Sequence, residues 1–265
     1  MFILIQTNEG CVWKMEGTEL FWNADLEALK RGYIEETHHL VCLLCGNKIE
    51  KGIIYPKDDL LFEAEKFMTI HIQDKHQSVF DYLIGLNKKL TGLTEHQSRL
   101  LRLFYQGKND AEIQQEMGIG SASTIRNHRF VLKEKERQAK LFLTMMELLK
   151  EKDQHAPSFL PPHKTATMID DRYNVTEEEK HKILIKYFPE GANGPLKVFP
   201  SREKQKLIIL QEITTRFTPD KTYTESEIND ILELIHPDFV TLRRYLIEYG
   251  FMDRKKDGSE YWMKK

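Results

Sequence analysis

Apolar positions along this chain change period several times, and each change marks a segment. Phe2 to Gln6 and Cys11 to Met15 read as two short strands, followed by a helix around Ala24 to Arg31. Helical spacing through Phe62, Phe67, Ile70, Phe80, Leu83 and Leu86 predicts helix within 60–90. Residues 94–150 are helical throughout, punctuated at Gly107 and at Gly118-Ile119-Gly120. Thr94 is a natural N-cap there, and Leu100, Leu101, Phe104, Ile113, Met117, Ile125 and Leu132 give each helix one apolar face. Periodicity then fails from Glu151 to about Tyr173, where Pro157, Pro161 and Pro162 are incompatible with a helix interior. Thr176 with Glu179 makes a capping box for a helix reaching Tyr187, and a softer break follows at Gly191 to Pro195. The tail reads as helices Glu203 to Arg216, Glu225 to Ile235 and Pro237 to Tyr249, then a hairpin from Phe251 to Trp262. Its punctuation is specific: Thr224 and Glu227 cap the second helix, Pro237 opens the third, Gly250 ends it, and Asp257-Gly258 turns the hairpin.

These elements predict a mainly α chain, α+β overall, in four parts. Residues 1–90 form an N-terminal α+β region with a zinc-finger-like site, and 91–150 a helix-turn-helix with a long following helix. Residues 151–173 are a linker, and 174–265 a winged-helix-like domain. The length of 265 residues agrees with two or three domains.

Charge changes the picture locally. The net charge of −2 gives no global attraction to nucleic acid, but residues 91–150 carry 10 basic and 7 acidic side chains. That is the segment whose sign favours phosphate; residues 196–265, with 13 basic and 12 acidic groups, are nearly balanced. The N-terminus has neither a basic n-region nor a cleavage site, and no uncharged apolar run approaches the roughly 20 residues that cross a bilayer. The expectation is a cytoplasmic protein without a membrane partner.

Three cysteines cannot make a disulfide framework, and two of them stand as Cys42-Leu-Leu-Cys45. His71-Ile-Gln-Asp-Lys-His76 follows after 25 residues. Two thiolates from a Cys-x-x-Cys turn and two imidazoles from one helix suit tetrahedral Zn2+, with Gly46 permitting the tight turn. The intervening loop is about twice the roughly 12–15 residues of the common finger, and a hairpin through Gly52 to Tyr55 would fill it. His38 and His39 are rival ligands. Buried free cysteines with surface histidines are the alternative; a redox pair lacks the surrounding βαβ pattern.

Leu93-Thr94-Glu95, Gly107, Glu112-Ile113, Thr124-Ile125-Arg126-Asn127-His128, Leu132 and Lys135 together resemble the GerE/LuxR-type helix-turn-helix of bacterial regulators over about 43 residues. One extra residue enters between Gly118 and Ser123. The resemblance implies double-stranded DNA as partner, read by the third helix. On that helix Ser123, Thr124, Arg126, Asn127, Arg129 and Lys133 are the candidate contacts. The helix continues through Ala139, Phe142, Leu143, Met146 and Leu149, a stripe that serves either a homodimer or intramolecular packing.

In the tail, Phe199-Pro200, Tyr223-Thr224-Glu225, Thr241-Leu242-Arg243-Arg244-Tyr245 and Tyr261-Trp262 resemble a small bacterial domain of unassigned function found at the end of transcriptional regulators. Arg243, Arg244, Arg254, Lys255 and Lys256 offer a second nucleic-acid face, and a protein partner is the rival use of a charge-balanced winged helix. The expectation is a DNA-binding transcriptional regulator with a structural zinc site, nucleoid-associated when bound. Its competitors are a zinc- or redox-responsive sensor, a protein-interaction adaptor and, with no phosphate loop, nucleophile elbow or HExxH motif in view, a zinc hydrolase.

Overall fold

The computed structural model describes residues 16–264, with side chains from Glu19 onward. The fold is mainly α with small antiparallel sheets, α+β overall. Two compact units divide it: one holds the described residues up to Leu83 with Pro161–Lys164, the other Ile84–Leu160 with Thr165–Lys264. The two N-terminal strands read from the sequence lie outside the described residues.

The first unit opens with helices α1 (Glu16–Asn23) and α2 (Leu26–Arg31). The Asp25 carboxylate accepts the Ala28 amide at 2.7 Å and starts α2; Gly32 ends it at φ +83°. Strands β1 (Tyr33–Glu35), β2 (His39–Cys42) and β3 (Lys48–Glu50) form an antiparallel sheet in that order, with Tyr33 opposite Cys42 and Leu40 opposite Ile49. Strands β4 (Ile54–Lys57) and β5 (Leu60–Glu63) pair as a hairpin. Its turn is Asp58-Asp59, both at positive φ, so the hairpin lies one turn later than Gly52 suggests. The helix expected within 60–90 accordingly starts only at Ala64: α3 spans Ala64–His76 and α4 Val79–Gly85. Leu40, Leu43, Leu44, Ile49, Met68 and Ile72 are buried here.

In the second unit α5 (Lys88–Thr91) precedes a three-helix block, α6 (Glu95–Tyr105), α7 (Asp110–Met117) and α8 (Ala122–Lys150). Capping boxes at Thr94/Gln97 and Asn109/Glu112 start α6 and α7, Gly118 at φ +64° ends α7, and Ser121 caps α8. Leu100, Leu103, Ile113 and Ile125 are its entire buried core, with Phe104, Met117 and Ile119 packed around them. Beyond Glu134, every residue of α8 is exposed.

The remainder of this unit builds around α10 (Glu203–Thr214), buried at every position from Leu207 to Ile213. Around it stand α9 (Glu177–Tyr187), α11 (Glu225–Glu233), α12 (Phe239–Glu248) and a sheet of β6 (Thr222–Tyr223), β7 (Met252–Arg254) and β8 (Tyr261–Met263) in the order β6-β8-β7. Helix, strand, two helices and a hairpin, with the first strand on the outer side of the last, make the winged-helix-like arrangement. Pro237 lies just before the Asp238 N-cap of α12, not inside the helix. The proline-rich stretch is held at several points: the Leu160 amide donates to the Val175 carbonyl, Phe159 bridges Thr176, and the Thr167 hydroxyl donates to the Glu248 carbonyl. No helix among the described residues is long and apolar enough to cross a membrane.

Candidate metal centre and helix-turn-helix surface

Cys42 ends β2, Cys45 lies in the turn that follows, and His71 and His76 come from the last half of α3. Their ligand atoms all lie within 4.8 Å of one another, a group able to hold a metal ion. Cys45 Sγ is 3.2 Å from His71 Nε2 and Cys42 Sγ 3.8 Å from His76 Nε2. The turn closes because the Gly46 amide donates to the Cys42 carbonyl and Gly46 takes φ +80°, while the Cys42 amide donates to the Asn47 carbonyl. A five-residue spacing suits two ligands on one helix only at a frayed end, and α3 does end at His76, with Gln77 at φ +63°. His38 and His39 are not in the group.

The electrostatics favour thiolate. Hydrogen bonds from Cys42, His71, the Asn47 amide and His76 hold the Cys45 thiol well below its ordinary range, Cys42 contributing most and outweighing the opposing effect of burial. The same Cys42–Cys45 bond, with burial, pushes Cys42 up, so the pair without metal shares one proton. Tyr82, edge-on to the His76 ring at 5.7 Å, has a buried hydroxyl with no hydrogen-bond partner among the described residues; burial first, then the two cysteines, push its pKa up.

A residue with no local sequence signal completes this centre. Lys164 Nζ donates to the carbonyls of Leu43 (3.0 Å) and Leu44 (2.8 Å), the two residues inside the Cys-x-x-Cys turn. It also lies 5.6 Å from the Phe21 ring centroid and 5.9 Å from that of Tyr82. Burial lowers its pKa, and the charges of Cys45 and Cys42 oppose that shift. A cation is thus placed against the turn that carries both cysteines. The Trp22 indole N–H donates to the Pro162 carbonyl at 2.8 Å and ties the same short segment to the unit.

On the helix-turn-helix, the candidate residues differ in what already holds them. Ser123 and Thr124 hydroxyls bond the Ser121 cap hydroxyl at 2.8 and 3.0 Å. Arg129 donates to Asp110 at 2.9 Å and lies 3.8 Å over the Phe104 ring, and Lys133 pairs with Glu136 at 2.6 Å. His128 Nε2 meets His96 Nε2 at 3.3 Å, joining α8 to α6. Arg126 and Asn127 are exposed, with side chains unengaged among the described residues.

In the tail, Arg243 is mostly buried against Glu225 (2.9 Å) and Asn229, and Lys255 pairs with Glu260. Arg244 lies over Tyr245, while Arg254 and Lys256 are exposed on the hairpin.

Residues 195–263 match the family described as "Uncharacterized protein conserved in bacteria (DUF2087)", which takes in α10 through β8. Comparison with curated proteins and with solved structures gives no match.

Proposed function

We propose that this protein is a sequence-specific DNA-binding transcriptional regulator whose N-terminal unit is held together by structural zinc. The observation that carries the DNA reading is the pair Arg126 and Asn127. Both are exposed and unengaged in the second turn of a capped third helix, packed on two others by Leu100, Leu103, Ile113 and Ile125. Arg matches the O6/N7 edge of guanine and Asn the N6/N7 edge of adenine, each in bidentate fashion. Arg129 and Lys133, already in surface ion pairs, would exchange those partners for phosphate and add affinity without sequence preference. Genomic footprinting of the tagged protein, followed by binding assays on the recovered site, tests the reading. Arg126→Ala or Asn127→Ala should each cost about 1–3 kcal/mol on that site and relax one base position. Unchanged affinity in both removes this helix from the DNA.

The zinc reading rests on the donor set. Zn–S bonds of about 2.3 Å and Zn–N bonds of about 2.0–2.1 Å at tetrahedral angles ask for ligand atoms ~3.3–3.8 Å apart, and the group needs to tighten by no more than about 1.5 Å. Two cysteines and two histidines fill all four positions, so the ion would supply folding energy. Elemental analysis should find about one zinc per chain. For the tail, the burial of Arg243 and the pairing of Lys255 favour a protein partner over a second DNA face.

A further inference from the structure

The distal half of α8 carries an apolar surface left exposed among the described residues. Leu141, Phe142, Leu143, Met145, Leu148 and Leu149 are each at least half exposed, and Met146 is 38% exposed. Leu141 and Leu148, seven residues apart, face away from the others; the remaining five present roughly 500 Å² of apolar area, toward the upper end of the ~300–600 Å² of the largest patch on a typical monomer. It is also of the order of the ~800 Å² that each partner contributes to a stable interface. These residues occupy about two and a half turns near the end of a 29-residue helix.

We infer that the partner is a second copy of this chain, paired in parallel through the distal half of α8. Two observations select this occupant. Ala139, Phe142, Met146 and Leu149 recur at the alternating three- and four-residue spacing of a two-helix seam, so the stripe is complementary to itself. The flanking Leu143 and Met145 widen the seam on both sides, which accounts for the breadth of the patch.

Charge along the helix selects the direction. Lys133, Lys135 and Arg137 precede the seam and Lys140 stands at its start, against Glu134 and Glu136, whereas Glu147 and Lys150 balance each other in its last turn. A parallel pair brings the two basic segments to one end, and the diverging helices carry them onto phosphates instead of onto each other. This direction rests on the DNA-reading proposal above. About 13 residues, or roughly 20 Å of helix, separate Arg126 from Ala139, enough for two reading ends to fork across one duplex.

The test is sedimentation equilibrium on the full chain without DNA, combined with disulfide trapping of Ala139→Cys and peptide mapping. Wild type should be a dimer at micromolar concentration, and the 139–139 crosslink should form under mild oxidant. Phe142→Glu with Leu149→Glu should be monomeric while keeping its helical circular dichroism, because both side chains are exposed and support no core. The same double variant should bind the footprinted site at least tenfold more weakly. A monomeric wild type at 100 µM, as expected if another part of the chain or a different protein covers the stripe, overturns the proposal. So does a dimer that survives the double substitution, or a dimer that never crosslinks at 139. A dimer that passes these tests yet binds no DNA would sink the DNA reading and leave the seam standing.

Discussion

The unit around the Cys/His group and the C-terminal winged-helix-like region solve the same problem by opposite means. The tail buries 22 apolar residues in one cluster, with a helix, α10, covered on all sides. The N-terminal unit has short strands of three or four residues, and its Cys-x-x-Cys turn is held by Gly46 and Lys164 beside four side chains able to hold a metal ion. Burial contributes in proportion to area and is indifferent to metal or proton activity; ligand-held structure depends on both. The difference teaches where each part is fragile. A small unit organised by four side chains fails all at once when one ligand is lost, whereas a large core fails by increments.

Metal removal should produce the largest effect and separate the two regions cleanly. Binding and folding are one event in small zinc modules, with apparent energies of about 10–16 kcal/mol, so a strong chelator or Cys45→Ser should unfold the first unit. Acidification to about pH 5 should act in the same direction, because the ligands bind metal only when deprotonated. Heteronuclear NMR should show dispersed signals lost from residues 33–76 and unchanged from 203–263. Loss of both sets together would mean that the tail also depends on the ion.

Next in size is a cavity in the tail. Ile209 is fully buried inside α10, and Ile209→Ala should cost about 2–5 kcal/mol through lost transfer energy and an unfilled void. Denaturant unfolding followed by tail signals measures it; metal content should not change. A cost below 1 kcal/mol would place the tail's stability elsewhere than in this core.

Glycine gives a matched pair of smaller effects. A Cβ on Gly250 would lie 2.3 Å from the Thr165 carbonyl oxygen, and one on Gly32 would lie 2.6 Å from a Val79 methyl. Both residues sit at positive φ, which a side chain resists. Gly250→Ala meets backbone and should destabilise the tail by about 2–3 kcal/mol, while Gly32→Ala meets a movable side chain and should cost roughly 1–2 kcal/mol. Thermal unfolding of the two variants that reversed this order would contradict the contrast between a rigid core and a yielding one.

Much of this contrast is legible in the sequence, because caps and ligands are local signals. The Thr176, Thr224 and Thr94 boxes, the αL glycine Gly250 and the Cys-x-x-Cys and His-x(4)-His pairs each declare themselves within six residues. What was missed depends on distance or on an unusual turn. The Asp58-Asp59 turn carries no glycine, so the sequence pattern points to Gly52 instead. Strand β6 is two residues long and exists only because Tyr223 pairs with Tyr261 across the sheet. Four residues, Gly118–Ser121, join α7 to α8, with the helix starting at Ala122.

Lys164 is the sharpest omission and supports the smallest and most specific prediction. It is 119 residues from Cys45 in sequence and stands in a proline-rich stretch that reads as linker, yet its ammonium fills the back of the metal turn. There the first unit does what the tail does throughout: it uses burial, but of a charge satisfied by two carbonyls of the Cys-x-x-Cys turn. Lys164→Met keeps most of the apolar stem and removes only the charge and its donors. The Leu43 and Leu44 carbonyls then lose their partner, at a cost of about 1–3 kcal/mol to the unit. Outer partners of metal ligands typically tune affinity by 10- to 100-fold, so competition with a chromophoric chelator should show zinc held at least tenfold more weakly. Lys164→Arg retains the charge but is too broad for the same two carbonyls, and should fall between wild type and Lys164→Met. If Lys164→Met loses stability but binds metal as tightly as wild type, the lysine is a packing residue and the turn owes its ligand geometry to Gly46 and its own amides alone.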